Sequence, residues 1–369
     1  MIDFTPTEEQ RMIRESVAAY ARDAVRPRAR DADEDGTIPG EVIDTGWELG
    51  LVQSAIPEAY GGFGSQRSAI TGTLVAEELA YGDLAVALHL LAPRLLAQPV
   101  IDYGSARQKE RYLPRFTHNG LYPATAAVME PRIDFDLAGL TTVARKGGGG
   151  WTLSGRKCLV PLGSRAETFL VYAATERSSG YSAVEGFFVD RGTPGLSIGE
   201  RERNMGLRAL DTVELTLDGC QVPGENRLGE ETGCDFERIM DASRLALAGL
   251  AVGVARSAYD YARQYAKERR AFGRAIAQNQ AIAFMLAEMA IEIDAVRLLA
   301  WEAAWKFDQG ERVLRESYLA KRYAADMVLK VADNAVQVLG GHGYIRDYPV
   351  EMWLRNARGF ASFEGLAIV

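Results

Sequence analysis

Near the end of the sequence, the stretch RGFASFEGLAIV sets one carboxylate, Glu364, among Phe360, Phe363, Leu366, Ile368 and Val369. A carboxylate so close to a chain end is ordinarily a solvated surface group. Aromatic and aliphatic neighbours are also a setting in which a carboxyl group gains basicity and can take a proton from a reacting carbon. Other chemistries have less to work with. Cys158, Cys220 and Cys234 are odd in number and lack metal-ligand spacing, and His89, His118 and His342 are the only histidines, so packing or surface roles are expected for all six. The GGGG run at 147–150 reads as a hairpin loop, because no strand-to-helix phosphate loop surrounds it.

These residues need a scaffold. The 369 residues with 47% hydrophobic content allow two or three domains or one large composite fold. A net charge of −8, with no basic arm or stripe, argues against nucleic-acid binding. The start, MIDFTPTEEQ, lacks the pattern of a secretory signal, and the conspicuous apolar stretch Leu245 to Ala255 is too short to span a bilayer, so a cytoplasmic protein without a membrane span is expected.

Thr5 to Glu8 reads as a capping box with Pro6 at the first helical position. A long apolar helix is expected through Leu74 to Leu96, with another around Ala106 to Phe116. From about residue 121 to 232, segments such as TFLVYAAT, EGFFVDR and TVELTLDG have the composition of short strands, as in an antiparallel sheet. After Gly233 the helical period returns. Ile282, Met285, Leu286, Met289, Ile293, Val296 and Ala300 share a face, while Ala242, Ala246, Gly249 and Gly253 would let neighbouring helices come close at the centre of a bundle. The expected fold class is α+β: a helical domain over 1–120, a β domain over 121–232 and a four-helix bundle over 233–369.

Taken in order, AIPEAYGG, NMGLRALDTVELTLDGCQVPGENRLG, YAKERRAFGRAIAQNQ, QVLGGHGYIRDYPVEMWLRNAR and FEG resemble segments of the acyl-CoA dehydrogenase family, and the resemblance spans essentially the whole chain. It implies removal of two hydrogens from the α and β carbons of an acyl thioester, with FAD accepting hydride and Glu364 abstracting the α-proton. The family's second position for the base falls on Ser243, which is no carboxylate, and Arg244 beside it is implied to meet the substrate. The resemblance assigns Arg269, Phe272, Gln280, Gln337, Gly340 and Gly341 to the adenine-dinucleotide half of FAD, typically the FAD of a neighbouring subunit. It also implies an electron-transfer flavoprotein as redox partner.

The β region departs from the family. Met129, Glu130, Pro131, Arg132, Ile133, Asp134, Phe135 and Asp136 stand where relatives read T-E-P-x-A-G-S-D, and Leu159 to Gly163 replace W-I-T-N-G, so hydroxyls and an aromatic ring around the flavin are missing. Leu366 replaces the threonine of E-G-T. These losses leave three expectations: a flavin dehydrogenase acting on a CoA or carrier-protein thioester, as a homotetramer; a subunit that completes the cofactor site of an unlike, homologous chain; and a flavin-free lyase or isomerase that keeps the base alone.

Overall fold

The computed structural model describes residues 5–118, 120–175 and 180–369. The first third is helical: α1 (Glu8–Tyr20), α2 (Ala29–Asp35), α3 (Gly40–Glu48), α4 (Ala69–Gly82), α5 (Leu84–Leu91), α6 (Arg94–Tyr103) and α7 (Ala106–Tyr112). The capping box of α1 lies two residues later than the sequence pattern predicts. Thr7 Oγ1 accepts from Gln10 N at 3.2 Å, and Gln10 Oε1 accepts from Thr7 N at 3.0 Å. Glutamine fills the role expected of Glu8 because either side chain can accept that hydrogen bond.

The single helix expected through Leu74 to Leu96 is instead three. Asp83 leaves helical geometry, with φ −161°, and its carboxylate accepts from Val86 N to start α5. Pro93 then ends the run, since it has no N–H for the next turn. Leu84–Tyr103 is long and apolar enough to cross a membrane, longer than Leu245 to Ala255, but 94% of its most apolar 18-residue window is buried inside the fold, as core helices are.

The middle of the chain builds a seven-stranded sheet: β1 (Ala124–Ala127), β2 (Val143–Gly147), β3 (Gly150–Pro161), β4 (Thr168–Thr175), β5 (Val184–Asp190), β6 (Leu196–Arg201) and β7 (Thr212–Pro223). Antiparallel pairing holds for β2–β3, β3–β7, β4–β5 and β6–β7, but β1 and β2 both run parallel to β4. The sheet is therefore mixed, because β1 and β2 reach β4 by crossover connections rather than hairpins. The GGGG run does form the β2–β3 turn. Gly148 and Gly149 both have positive φ, 57° and 82°, which glycine adopts without steric cost.

Beyond the sheet come α8 (Phe236–Glu268), a two-stranded hairpin of β8 (Arg270–Ala271) and β9 (Arg274–Ala275), α9 (Gln280–Asp308), α10 (Leu314–Leu339), α11 (Gly341–Tyr344) and α12 (Val350–Arg358). Glycine brings α8 against α4, as the small-residue pattern predicts. A Cβ on Gly253 would lie 2.2 Å from the Glu77 carbonyl oxygen, and one on Gly249 2.7 Å from that of Thr73. The same seam is pinned by Glu77 and Glu78 of α4, which pair with Arg256 of α8 and Arg297 of α9. Burial opposes charge on Glu78, yet its arginine partners hold the carboxyl below its usual range.

The predicted inner face of α9 is buried at Leu286, Met289, Ile293, Val296 and Ala300. A second apolar row faces outward. Phe284, Ile291 and Leu298 are exposed at seven-residue intervals, beside Tyr318, Leu319 and Tyr323 of α10.

Candidate functional site around Glu364

After α12 the chain turns through Phe360 and Phe363, whose ring centroids lie 5.5 Å apart, and presents Glu364 on a turn. Gly365 makes that turn, with φ 66°, and a Cβ there would lie 2.5 Å from a methyl group of Val128. Only glycine lets the Glu364 turn press so closely on the segment that follows β1. The next residues are clamped between two helices: Val369 N donates to the Ala242 carbonyl of α8, and Val369 packs on Gly72 of α4.

The flanking residues Phe360, Phe363, Leu366, Ile368 and Val369 are buried, as expected from their composition. The carboxylate itself is not in an apolar setting, which corrects that part of the expectation. Lys321 Nζ of α10 lies 2.9 Å from Glu364 Oε1, and Arg244 Nε of α8 lies 3.7 Å from Oε2. Side chains that are far apart in sequence replace the local apolar environment with an ionic one. Glu364 keeps 14% of its side-chain surface exposed, while its Oε2 is buried without a hydrogen-bond partner among the described residues.

Arg244 is almost fully buried. Its Nη2 donates to Tyr181 Oη at 2.9 Å, and its Nη1 lies 3.6 Å from Asp241. Burial disfavours its charge, but Glu364, Tyr181 and Asp241 outweigh that and raise its pKa further above the ordinary arginine range. Among the described residues its Nε and Nη1, and separately the neighbouring Ser243 Oγ, are buried without hydrogen-bond partners. Where Glu364 meets Arg244, one acceptor and two donor nitrogens are thus left without hydrogen bonds, an arrangement that a polar ligand would complete.

Tyr181 links this point to a cavity of about 590 Å³, which Asp102, Tyr103, Cys234, Asp235, Glu237 and Arg312 also line. The acidic lining is balanced: Arg67 pairs with Asp102, and Arg312 with Asp235 and Glu237. Burial, then the nearby Glu185, push the Cys234 thiol up to about 12, so it is no nucleophile at neutral pH.

The segment expected to lack flavin contacts is held by a second buried pair. Glu130 Oε2 accepts from Thr141 N and Oγ1 at 2.8 and 2.7 Å, and Oε1 from Thr142 N and Lys157 Nζ at 2.8 and 3.1 Å. Lys157 also donates to the Val128 carbonyl at 2.9 Å. Burial opposes charge on both partners. Lys157, with one carboxylate in reach, is pushed down to about 8, whereas Glu130, with the Lys157 charge and the threonine hydrogen bonds, is held at about 2. Further along, Arg132 Nη2 donates to the Gly139 carbonyl and Asp136 accepts from Ala138 N, while Arg132 Nε, 3.5 Å from Glu130 Oε2, is buried without a hydrogen-bond partner among the described residues. At the other divergent stretch, Leu159 and Leu162 take positive φ values of 50° and 55° around an irregularity in the β3–β7 ladder.

A different surface collects the residues assigned to the adenine-dinucleotide half of FAD. Arg269, Gly340 and Gly341 line one cavity of about 350 Å³ with Tyr265, Ile276 and His342. A Cβ on either glycine would meet nothing within 4 Å, so the cradle is open, and His342 Nδ1 sits 2.7 Å from Tyr265 Oη on its wall. Phe272 stands at the tip of the β8–β9 hairpin, 99% exposed. Gln280 begins α9, and Gln337 lies in the last turn of α10, where its carbonyl accepts from Gly340 N. Those three lie around the cavity rather than in its lining. An arginine beside open backbone suits a pyrophosphate, and the exposed hairpin suits a cofactor shared with another chain.

Sequence reasoning missed Lys321. The available signal was its place on α10, four residues after Ser317 and next to Ala320, on a face that otherwise carries small and apolar residues.

Acyl-CoA dehydrogenase N-terminal, middle and C-terminal domain families match residues 7–119, 125–220 and 236–367. The chain is 38% identical over 356 residues to a cyclohex-1-ene-1-carbonyl-CoA dehydrogenase of Syntrophus aciditrophicus (strain SB), covering 95% of this chain and 85% of that one. It is 35% identical over 363 residues to an acyl-CoA dehydrogenase of Bacillus subtilis (strain 168), covering 97% and 95%. The solved structure of butyryl-CoA dehydrogenase from Megasphaera elsdenii superposes with a TM-score of 0.87 at 32% identity, over 97% of this chain and 95% of that one. With all three domains matched in order, the chain belongs to the acyl-CoA dehydrogenase family, FAD-dependent oxidoreductases acting on CH–CH bonds.

Proposed function

We propose that this chain catalyses α,β-dehydrogenation of an acyl-CoA thioester, with Glu364 as the base and Arg244 as a substrate-binding residue. The observation that carries this reading is the unsatisfied cluster: a buried carboxylate oxygen beside an arginine with two unpartnered nitrogens, joined through Tyr181 to a cavity. A thioester carbonyl offers an acceptor to such donors and an α-hydrogen to such a base. When bound, FAD supplies the hydride acceptor that no side chain can provide. Gly340, Gly341 and Arg269 would hold its dinucleotide half, and the tight Gly365 turn brings Glu364 against Val128, beside the segment that faces the ring in the family. Ser243, buried and uncharged, leaves the proton to Glu364. Reoxidation by an electron-transfer flavoprotein follows from the family reading.

The outward apolar row of α9 and α10 supports assembly into an oligomer. A homotetramer is the first reading. A second, a heteromer with a homologous chain, is favoured by one contrast: the dinucleotide cradle is open, while in the divergent loop Arg132 Nη2 and Asp136 Oδ1 are spent on the loop's own backbone.

The test is to purify the protein alone, measure bound flavin and oligomeric mass, and mix it anaerobically with a panel of acyl-CoA thioesters. Flavin near one per chain in a homo-oligomer, bleached by at least one thioester, is the expected result. A chain that binds no FAD even when it is added overturns dehydrogenation by this chain alone and directs the search to a partner subunit.

A further inference from the structure

We propose that Lys321 is a positioning residue that parks the Glu364 carboxylate, and that the incoming thioester must draw Glu364 away from it before the proton can be taken. This rests on the reading of Glu364 as the base. Lys321 Nζ lies 2.9 Å from Glu364 Oε1, and Lys321 is 8% exposed, so the ammonium is committed to this contact. No other hydrogen bond or ion pair is made by it among the described residues. Its placement is built in: four residues earlier on α10, Ser317 Oγ donates to Asp241 of α8 at 2.6 Å, locking the two helices in register.

The charged and titratable groups that meet Glu364, or meet its partner Arg244, come from three directions. From α8 come Asp241 and Arg244, from α10 Lys321 and Tyr318, and from the segment before β5 Tyr181. Arg244 divides its charge among Tyr181, Asp241 and Glu364, and its 3.7 Å approach to Glu364 is the longer of the two cation contacts. Lys321 holds Glu364 alone, by a single contact to one oxygen. An ion pair of this kind is strong enough to orient a carboxylate and weak enough to be exchanged when a ligand desolvates the site.

The experiment compares wild type, K321M, K321R and K321Q in the full-length, flavin-loaded protein. With carboxyl-¹³C glutamate incorporated and the E364Q spectrum subtracted, infrared difference spectra at neutral pH read the Glu364 carboxylate directly and without substrate. K321R should keep the wild-type carboxylate stretching bands, whereas K321M, in which one oxygen loses its ammonium, should shift or broaden them. K321Q, which keeps length and polarity without charge, should follow K321M, and it serves in place of K321M if that variant does not fold. The kcat for thioester-driven flavin reduction should change in the uncharged variants, with KM nearly unchanged, and return in K321R. Superimposable carboxylate bands across the four proteins overturn the proposal. Shifted bands in a protein that no thioester reduces uphold the role of Lys321 at Glu364 and defeat the dehydrogenase reading instead.

Discussion

Two glutamate–lysine pairs, Glu130–Lys157 and Glu364–Lys321, are built in opposite ways. Glu130 takes four hydrogen bonds, including one from Lys157, and Lys157 reaches the Val128 carbonyl. Gly365, the residue after Glu364, presses on the same Val128, yet Glu364 Oε2 accepts no hydrogen bond among the described residues and its Oε1 has one ammonium. A carboxylate with every lone pair used is a strut. One held by two cations, with an oxygen that accepts no hydrogen bond, is available to a ligand. The number of satisfied lone pairs, rather than burial or charge, separates the structural pair from the reactive one.

The largest effect on stability should come from breaking the strut. K157M leaves Glu130 charged and buried, and unfolding free energy should fall by about 3–5 kcal/mol in denaturant titration. Acid should act on the same strut. The Glu130 carboxyl is held at about 2, so it contributes stability that is complete above the ordinary carboxyl range and is lost as pH falls from about 4.5 toward 2. That acid sensitivity should shrink in K157M; an unchanged acid limb of the stability curve would break the comparison on the structural side.

A smaller effect is expected at the turn that joins the two pairs. G365A puts a Cβ 2.5 Å from Val128 and imposes a left-handed conformation, costing about 1–3 kcal/mol in thermal or chemical unfolding. Because that turn also aims Glu364, flavin reduction should slow more than the stability loss alone accounts for. A variant with wild-type rates would show that the turn does not set the aim.

How far the sequence anticipates these pairs depends on how local their causes are. Glu364 and Arg244 were both marked by residue type and family position, and the structure brings them together. The open cradle was readable at Arg269, Gly340 and Gly341, because a diglycine after a long helix and a nearby arginine are local signals. The small-residue seam of α8 was equally legible from Gly249 and Gly253. Lys321 was not, since a lysine on a long helix ordinarily reads as a solvated residue and its partner lies in another element. Nor was the ionic surrounding of Glu364, whose sequence neighbours are apolar while its spatial ones are charged. In the first domain, residue type placed the helices but not their breaks at Asp83 and Pro93, where capping chemistry overrode an unbroken apolar pattern. The parallel pairings of β4 depend on crossovers that strand composition does not encode.

The central claim is that the half-satisfied carboxylate is the base. It is tested most directly by loading wild type and E364Q with FAD and following flavin bleaching under anaerobic conditions with a thioester that reduces the wild type. E364Q keeps the size of the side chain and removes the proton acceptor. The account predicts a rate lower by about 10²- to 10⁴-fold with flavin content and thermal stability close to wild type. Bleaching at the wild-type rate would contradict it, and would mean that the proton is taken by a group other than Glu364.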